Sequence, residues 1–213
     1  RDCLLSRGLG DVYKRQSGGF MKLLFALRSI FLLPHFFVFK LCEKHDVLCK
    51  DLESWRKLCP KKNNCSYTYL FFYMMCHFKE FRNVFYLRLG NIKYFLKIFC
   101  KPLDSLYLTS KNMGPGLFIQ HGFSTIVGVE TMGSNCWINQ QVTVGHTEKG
   151  RPKIGNNVKI MTGAKVLGNV TIGDNVIIGA GAIIVKDVPS DCVVVGSRAY
   201  IVKRNGKKVR EEL

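Results

Sequence analysis

Two histidines, His121 and His146, fall in the repetitive second half of this 213-residue chain, and imidazoles move protons near neutral pH better than any other side chain. His121 stands in Gly116-Leu117-Phe118-Ile119-Gln120-His121-Gly122, where the following glycine leaves room for a substrate. His146 opens the run His146-Thr147-Glu148-Lys149-Gly150-Arg151-Pro152-Lys153, which also supplies a cation, Arg151. Residue type alone leaves His121 as either a general base or an ordinary surface histidine. Thiol chemistry has less support: the nine cysteines are an odd number without a C-x-x-C pair, and scattered thiols fit a reducing, cytoplasmic setting. A prism-borne metal centre of three histidines would need more than these two, so no metal is expected.

The elements that hold these residues are legible as a repeat. From Ile154 the chain reads IGNNVK, IMTGAK, VLGNVT, IGDNVI, IGAGAI, IVKDVP. The first place is always aliphatic (Ile154, Ile160, Val166, Ile172, Ile178, Ile184), and the fifth is always Val or Ala (Val158, Ala164, Val170, Val176, Ala182, Val188). Place five and the next place one are two residues apart, so both point inward from one short strand, with Lys159, Lys165 or Thr171 outward between them. Gly-Asn-Asn and Gly-Asp-Asn then turn a corner, often at positive φ. Three strands and three corners close a coil, and stacked coils make a triangular prism filled with aliphatic side chains. Earlier hexads place His121 third, at a corner and outside the core. The register counts one inserted residue between Thr125 and Met132, and a protruding loop between Val144 and Ile154.

Ahead of the prism the texture is helical. Residues 1–20 read as a non-native or disordered leader, with Met21 a plausible start. Residues 21–41 are apolar but broken by Arg28 and Pro34, too short to span a bilayer, and read as a pair of short helices suited to peripheral membrane contact. Helical periodicity follows around Leu52, Trp55 and Leu58, over Tyr67–Phe78, over Phe81–Gly90 with Gly90 as stop, and over Asn91–Cys100. The expected organisation is a leader over 1–20, an α-helical region over 21–110, a β-prism over 111–202 and a basic tail over 203–213. The formal charge of +17 invites an anionic partner, but no nucleic-acid-binding motif accompanies it, so no nucleic acid is expected.

The hexads are identified as those of the hexapeptide-repeat left-handed β-helix, a mainly β fold whose handedness comes from the resemblance, since the general crossover rule favours the other hand. From about Phe81 onward the chain resembles the serine O-acetyltransferase group of that family. The likeness rests on Phe81-Arg82-Asn83-Val84-Phe85-Tyr86-Leu87-Arg88-Leu89, on Gly114 to Gly122, on Gln141-Val142-Thr143-Val144-Gly145, on Gly163 to Val170 and on Gly179-Ala180-Gly181-Ala182. It implies acetyl-CoA as donor, a small-molecule hydroxyl acceptor, a homotrimer with sites between adjacent prisms, and His121 as catalytic base. It further implies that Thr162, Gly163 and Ala180 contact the pantetheine arm of the cofactor, and that backbone N–H groups near Gly145 steady the oxyanion. Outward Lys159 and Lys165, with Lys203 and Arg204, are placed to attract its phosphates.

Three positions depart from the family pattern. Leu106 replaces the aspartate that orients the base, Gln120 replaces the acidic residue directly before it, and Gly150-Arg151 replaces an Arg-His pair in the loop. His146 is the available substitute for that lost histidine. The departures leave donor binding intact and keep three readings open: serine acetyltransferase of cysteine biosynthesis, sugar O-acetyltransferase of surface polysaccharide, and a trimeric prism without catalysis.

Overall fold

The computed structural model describes residues 25–59, 65–196, 200–204 and 207–212; the leader 1–20 lies outside them. The chain divides into two compact units, residues 1–102 and 103–213.

The first unit is helical. Residues 25–31 form one helix, and Pro34 sits in the first turn of the next, α1 (Leu33–Leu41), where a missing N–H costs nothing. Then come α2 (His45–Trp55), a short 3₁₀ turn (Arg56–Leu58), α3 (Tyr67–His77), α4 (Lys79–Arg88) and α5 (Ile92–Phe99). Ser66 caps α3 by accepting the Tyr69 N–H. Phe39, Trp55, Phe71, Phe81 and Phe85 are buried together with Leu48, Leu52 and Leu70. Two details differ from the sequence expectation. The register set by Leu52 and Trp55 ends at the 3₁₀ turn, so Cys59 is buried in place of Leu58. Helix α4 stops at an extended, buried Leu89 and not at a left-handed Gly90: burying Leu89 ends the helix without a glycine cap.

The second unit is a parallel β-helix. One face stacks β1 (Leu106–Leu108), β3 (Thr125–Val127), β6 (Thr143–Gly145), β9 (Lys165–Leu167) and β12 (Ile183–Ile184). A second stacks β4 (Thr131–Met132), β7 (Lys153–Ile154) and β10 (Thr171–Ile172). The third stacks β2 (Phe118–Ile119), β5 (Trp137–Ile138), β8 (Lys159–Ile160), β11 (Ile177–Ile178) and β13 (Val193–Val194). Hexad places one and five are buried from Ile154 through Ile184, as the spacing predicts, and Val188 at the end is half-buried.

The prism starts before residue 111. Leu106 already pairs with Thr125 in the first sheet and is buried, so the helical region ends sooner than its composition indicated. The basic tail is a hairpin of β14 (Tyr200–Arg204) and β15 (Lys207–Glu212).

The corners divide the labour between Gly and Asn. In Gly155-Asn156-Asn157 it is Asn157 that takes positive φ, as do Asn135 and Asn175 in the coils on either side. Gly155 is needed for a different reason: a Cβ there would come within 2.8 Å of the Gly173 backbone in the next coil. The three asparagines form a ladder. Asn157 Nδ2 donates to Asn175 Oδ1 at 2.9 Å, and Asn175 Nδ2 donates to Asp191 Oδ1 at 2.8 Å.

Candidate active site on the prism edges

His121 lies on the edge where the third face turns into the first. In the two coils below, that corner is Asn139-Gln140-Gln141 and Met161-Thr162-Gly163, and Gly179-Ala180-Gly181 follows. The corners are tied coil to coil: the Gln141 N–H donates to Phe123 O, Gly163 N–H to Gln140 O and Gly181 N–H to Thr162 O.

The corner bearing His121 is larger than the others. Ile119 pairs with Ile138 and Val127 with Val144, so eight chain steps do there what six do in the next coil. Two extra residues push the segment outward. His121 and Ser124 take left-handed backbone, and His121 and Phe123 are exposed. The insertion therefore sits before Thr125, not after it. Thr125 and Val127 fill the inward places, and the chain shortens by one step before Met132. The hexad register was ambiguous here because Phe123 and Thr125 are both acceptable in an inward place.

Around His121 the corner residues are polar and uncharged, between two flanking lysines. Asn139 Oδ1 accepts the Trp137 indole N–H at 2.7 Å, and its Nδ2 stands 3.5 Å from Thr162 Oγ1. Gln140 Oε1 is buried without a hydrogen-bond partner among the described residues. Sequence reasoning overlooked Asn139 and Gln140, although they occupy in their coil the slot that Thr162-Gly163 occupies in the next. Lys159 and Lys165 flank this edge, one on each adjoining face, and both are exposed. Lys159 Nζ stands 5.8 Å from the Trp137 ring. Leu106 is buried beside Thr125, inside the prism, so its position supplies packing and no carboxylate. Cys136 is buried, and burial pushes its thiol up to about 11, which makes it packing material and a poor nucleophile.

The remaining expected residues gather on a different edge. Gly145 ends β6 where the first face turns into the second, and the expected loop leaves the prism there. Thr147 and Gly150 pair antiparallel across Glu148-Lys149, and Gly150 supplies the positive φ of 127° that this tight reversal needs. His146 and Arg151 flank the hairpin and are exposed. A cavity of about 440 Å³ lies against it, lined by Thr147, Glu148, Leu167, Asn169 and Val185. One chain thus brings His121, Thr162, Gly163 and Ala180 to one edge and Gly145, His146 and Arg151 to another, with the width of a three-residue strand, roughly 10 Å, between them. Among the described residues no three His, Cys, Asp or Glu side chains converge as metal ligands.

Comparison with known proteins gives this geometry a lineage. Residues 151–186 match the family described as bacterial transferase hexapeptide (six repeats). Serine acetyltransferase from Synechococcus elongatus is 46% identical over 102 residues, 46% of this chain and 42% of that protein. The Staphylococcus aureus serine acetyltransferase is 47% identical over the same length, 48% of its own. The chain spans less than half the length of the curated relatives it matches. Over these 102 residues the prism is similar to those of serine acetyltransferases. Among solved structures, the Neisseria gonorrhoeae serine acetyltransferase in complex with serine superposes with a TM-score of 0.56 at 26% identity, over 75% of this chain and 69% of that one. The serine O-acetyltransferase of Brucella melitensis gives 0.59 at 25% identity, over 84% and 74%. The β-helix is accordingly left-handed, as the resemblance implied.

Proposed function

We propose that the chain transfers an acetyl group from acetyl-CoA to the hydroxyl of L-serine, the step that feeds cysteine biosynthesis, with His121 as general base. The observation that carries this reading is the enlarged corner: two extra residues project an unobstructed imidazole from an otherwise regular edge, in a prism that resembles serine acetyltransferases. His121 takes the hydroxyl proton as the oxygen attacks the thioester carbonyl. The tetrahedral adduct then expels the CoA thiolate, which recovers that proton, so atoms balance without an acyl-enzyme. Thr162, Gly163 and Ala180 extend down the same edge as a track for the pantetheine arm, and Lys159 and Lys165 lie where its phosphates can be attracted.

A homotrimer completes the site. The loop edge of one prism must meet the His121 edge of its neighbour to bring Gly145 N–H groups, His146 and Arg151 to the reacting atoms. The outward rows of the two faces that flank His121 support this. One face presents Ile126 and Ile183 beside Thr143 and Lys165, and the other presents Trp137, Ile177 and Val193 beside Lys159, so both are more apolar than the second face, which presents Thr131, Lys153 and Thr171. A cytoplasmic location agrees with cysteines that form no disulfide among the described residues.

One observation favours a second acceptor. Gln120, Asn139, Gln140 and Thr162 leave the His121 corner without a carboxylate, so an acceptor lacking an ammonium group, such as a sugar hydroxyl, suits it electrostatically. Peripheral membrane contact through residues 21–41 belongs with that alternative. CoA release measured with serine and then with a sugar panel separates the two. Loss of at least ~10²-fold in kcat for His121→Ala with the better acceptor, at nearly constant CoA affinity, is the expected outcome. Near-full turnover would instead leave the prism as a binding scaffold.

A further inference from the structure

The helical unit carries a second surface that acetyl transfer does not use. On the helix of residues 25–31 and on α1, Leu27, Ile30, Phe31 and Phe37 are exposed, Phe31 to 66%. On α5, Ile92, Phe95, Ile98 and Phe99 are exposed, Ile98 to 71%, while Leu96 on the opposite side is buried and its carbonyl lies 3.1 Å from His35 Nε2. Exposed apolar groups of this number on adjoining helices are unusual for a solvated surface.

The two segments meet at a cavity of about 200 Å³, lined by Phe31 and Phe99 together with Arg28, Arg82 and Lys101. Arg82 is spent on the backbone: its guanidinium donates to the carbonyls of Met75 at 2.7 Å, Lys101 at 2.8 Å and Cys76 at 3.0 Å. Among the described residues Arg28 and Lys101 are engaged in no ion pair, and both are exposed. Residues 25–41 and 89–102 together hold Arg28, Lys40, Lys93, Lys97 and Lys101, and not one Asp or Glu. Two copies meeting through this face would set cations against cations with no acid between them, which disfavours self-association. An anionic bilayer satisfies both halves of the pattern, apolar groups entering the acyl boundary and basic groups meeting headgroups. No helix among the described residues is long and apolar enough to cross a membrane, so the contact is with one leaflet.

We propose that the exposed side chains of residues 25–41 and 92–101 form a docking surface for an anionic bilayer, with Arg28 and Lys101 receiving a lipid phosphate at the mouth of the cavity between Phe31 and Phe99. The surface extends beyond the 21–41 segment to a second helix and specifies the headgroup chemistry. It is independent of which hydroxyl accepts the acetyl group, and its readout is binding.

The test is co-sedimentation of the full chain with vesicles of phosphatidylcholine alone, or of equal parts phosphatidylcholine and phosphatidylglycerol. The chain should pellet with the mixed vesicles, stay in solution with the neutral ones, and be released by high salt. Arg28→Gln and Lys101→Gln should each weaken partitioning about fivefold, and Phe31→Ser with Ile98→Ser should weaken it tenfold or more. All four side chains are exposed, and an unchanged far-UV spectrum checks that the variants fold. Four outcomes overturn the proposal. The chain pellets with neither vesicle, or pellets with both equally. Inorganic phosphate binds with the same Arg28 dependence and displaces the chain from vesicles, which makes the cavity a free-phosphate site. Or the Phe31/Ile98 variant retains vesicle binding and loses a concentration-dependent increase in mass, which makes the surface a contact between copies.

Discussion

The prism and the helical unit solve the burial problem in opposite ways. The prism repeats one small solution: small, mostly aliphatic side chains enter each strand, a glycine, an amide or an aspartate turns most corners, and each coil contacts the next through the same few bonds. The helical unit has no repeat. It packs aromatic rings of several sizes and also buries ionisable groups, the Asp51–Arg88 pair and His35. Damage in the prism should therefore be local and modest, whereas a single polar change in the helical unit should be costly.

The largest effect is expected at that ion pair. Arg88 Nε donates to Asp51 Oδ2 at 2.7 Å and Nη2 to Oδ1 at 3.1 Å, and the two side chains are 3% and 0% exposed. Asp51→Ala strands a guanidinium in the core and should destabilise the helical unit by about 3–5 kcal/mol. Urea unfolding followed by Trp55 fluorescence would show it. A change below about 1 kcal/mol would mean that the pair is solvated in solution and that the contrast between the units is overstated.

Next comes His121→Ala, at ~10²-fold or more in kcat, equivalent to about 3 kcal/mol of transition-state stabilisation, with only a small change in unfolding, because the side chain is exposed and only the left-handed backbone at this position disfavours alanine. His146→Ala should cost less, since its loop reaches a reacting centre only across a subunit seam. The two substitutions test whether the prism pays for function at an irregular place without loss of stability.

His35 sharpens the contrast through pH. Its Nε2 stands 2.9 Å from the Tyr86 hydroxyl, which itself donates to Cys100 O at 2.6 Å, and its Nδ1 has no hydrogen-bond partner among the described residues. The ring is therefore held neutral, and burial lowers its pKa from 6.5 to about 4. The unfolded chain takes up a proton near pH 6.5 and the native ring only near 4, so stability is full above 6.5 and falls as the pH drops through that window. The loss should reach about 2 kcal/mol at pH 5. His35→Gln should flatten that dependence between pH 6.5 and 4. An equal slope in the variant would assign the acid sensitivity to other groups.

Most of the prism was legible because its code is local: a residue's place in a hexad fixes whether it faces in or out. The reading failed where two registers fit equally well. Phe123 and Thr125 both suit an inward place, and only pairing to Ile126 and Val127 across coils reveals the expanded corner. Leu106 was missed as a strand because a lone coil edge has no hexad neighbours to declare it. In the helical unit the elements were visible from periodicity, but the partners of Arg88 and His35 lie 37 and 51 residues away, and no local pattern announces such pairings. The His121 edge was read correctly as a corner, while Asn139 and Gln140 were passed over because amides in these repeats usually serve the turn.

The smallest expected effect separates the two jobs an asparagine does at a corner. Asn157 has φ 55°, and its side chain joins the ladder by accepting from Asn135 and donating to Asn175. Asn157→Ala loses both ladder bonds and keeps a Cβ in left-handed backbone without the short polar side chain that lets asparagine tolerate it, so it should cost about 2 kcal/mol. Asn157→Gly loses the same bonds but adopts that backbone freely and should cost about 1 kcal/mol. The difference between the variants in thermal unfolding isolates the backbone term, and the glycine variant alone measures the ladder. Equal losses would mean that side-chain stacking, and not backbone conformation, selects asparagine at these corners; a larger loss for glycine would show that the corner is held mainly by restricting the unfolded chain.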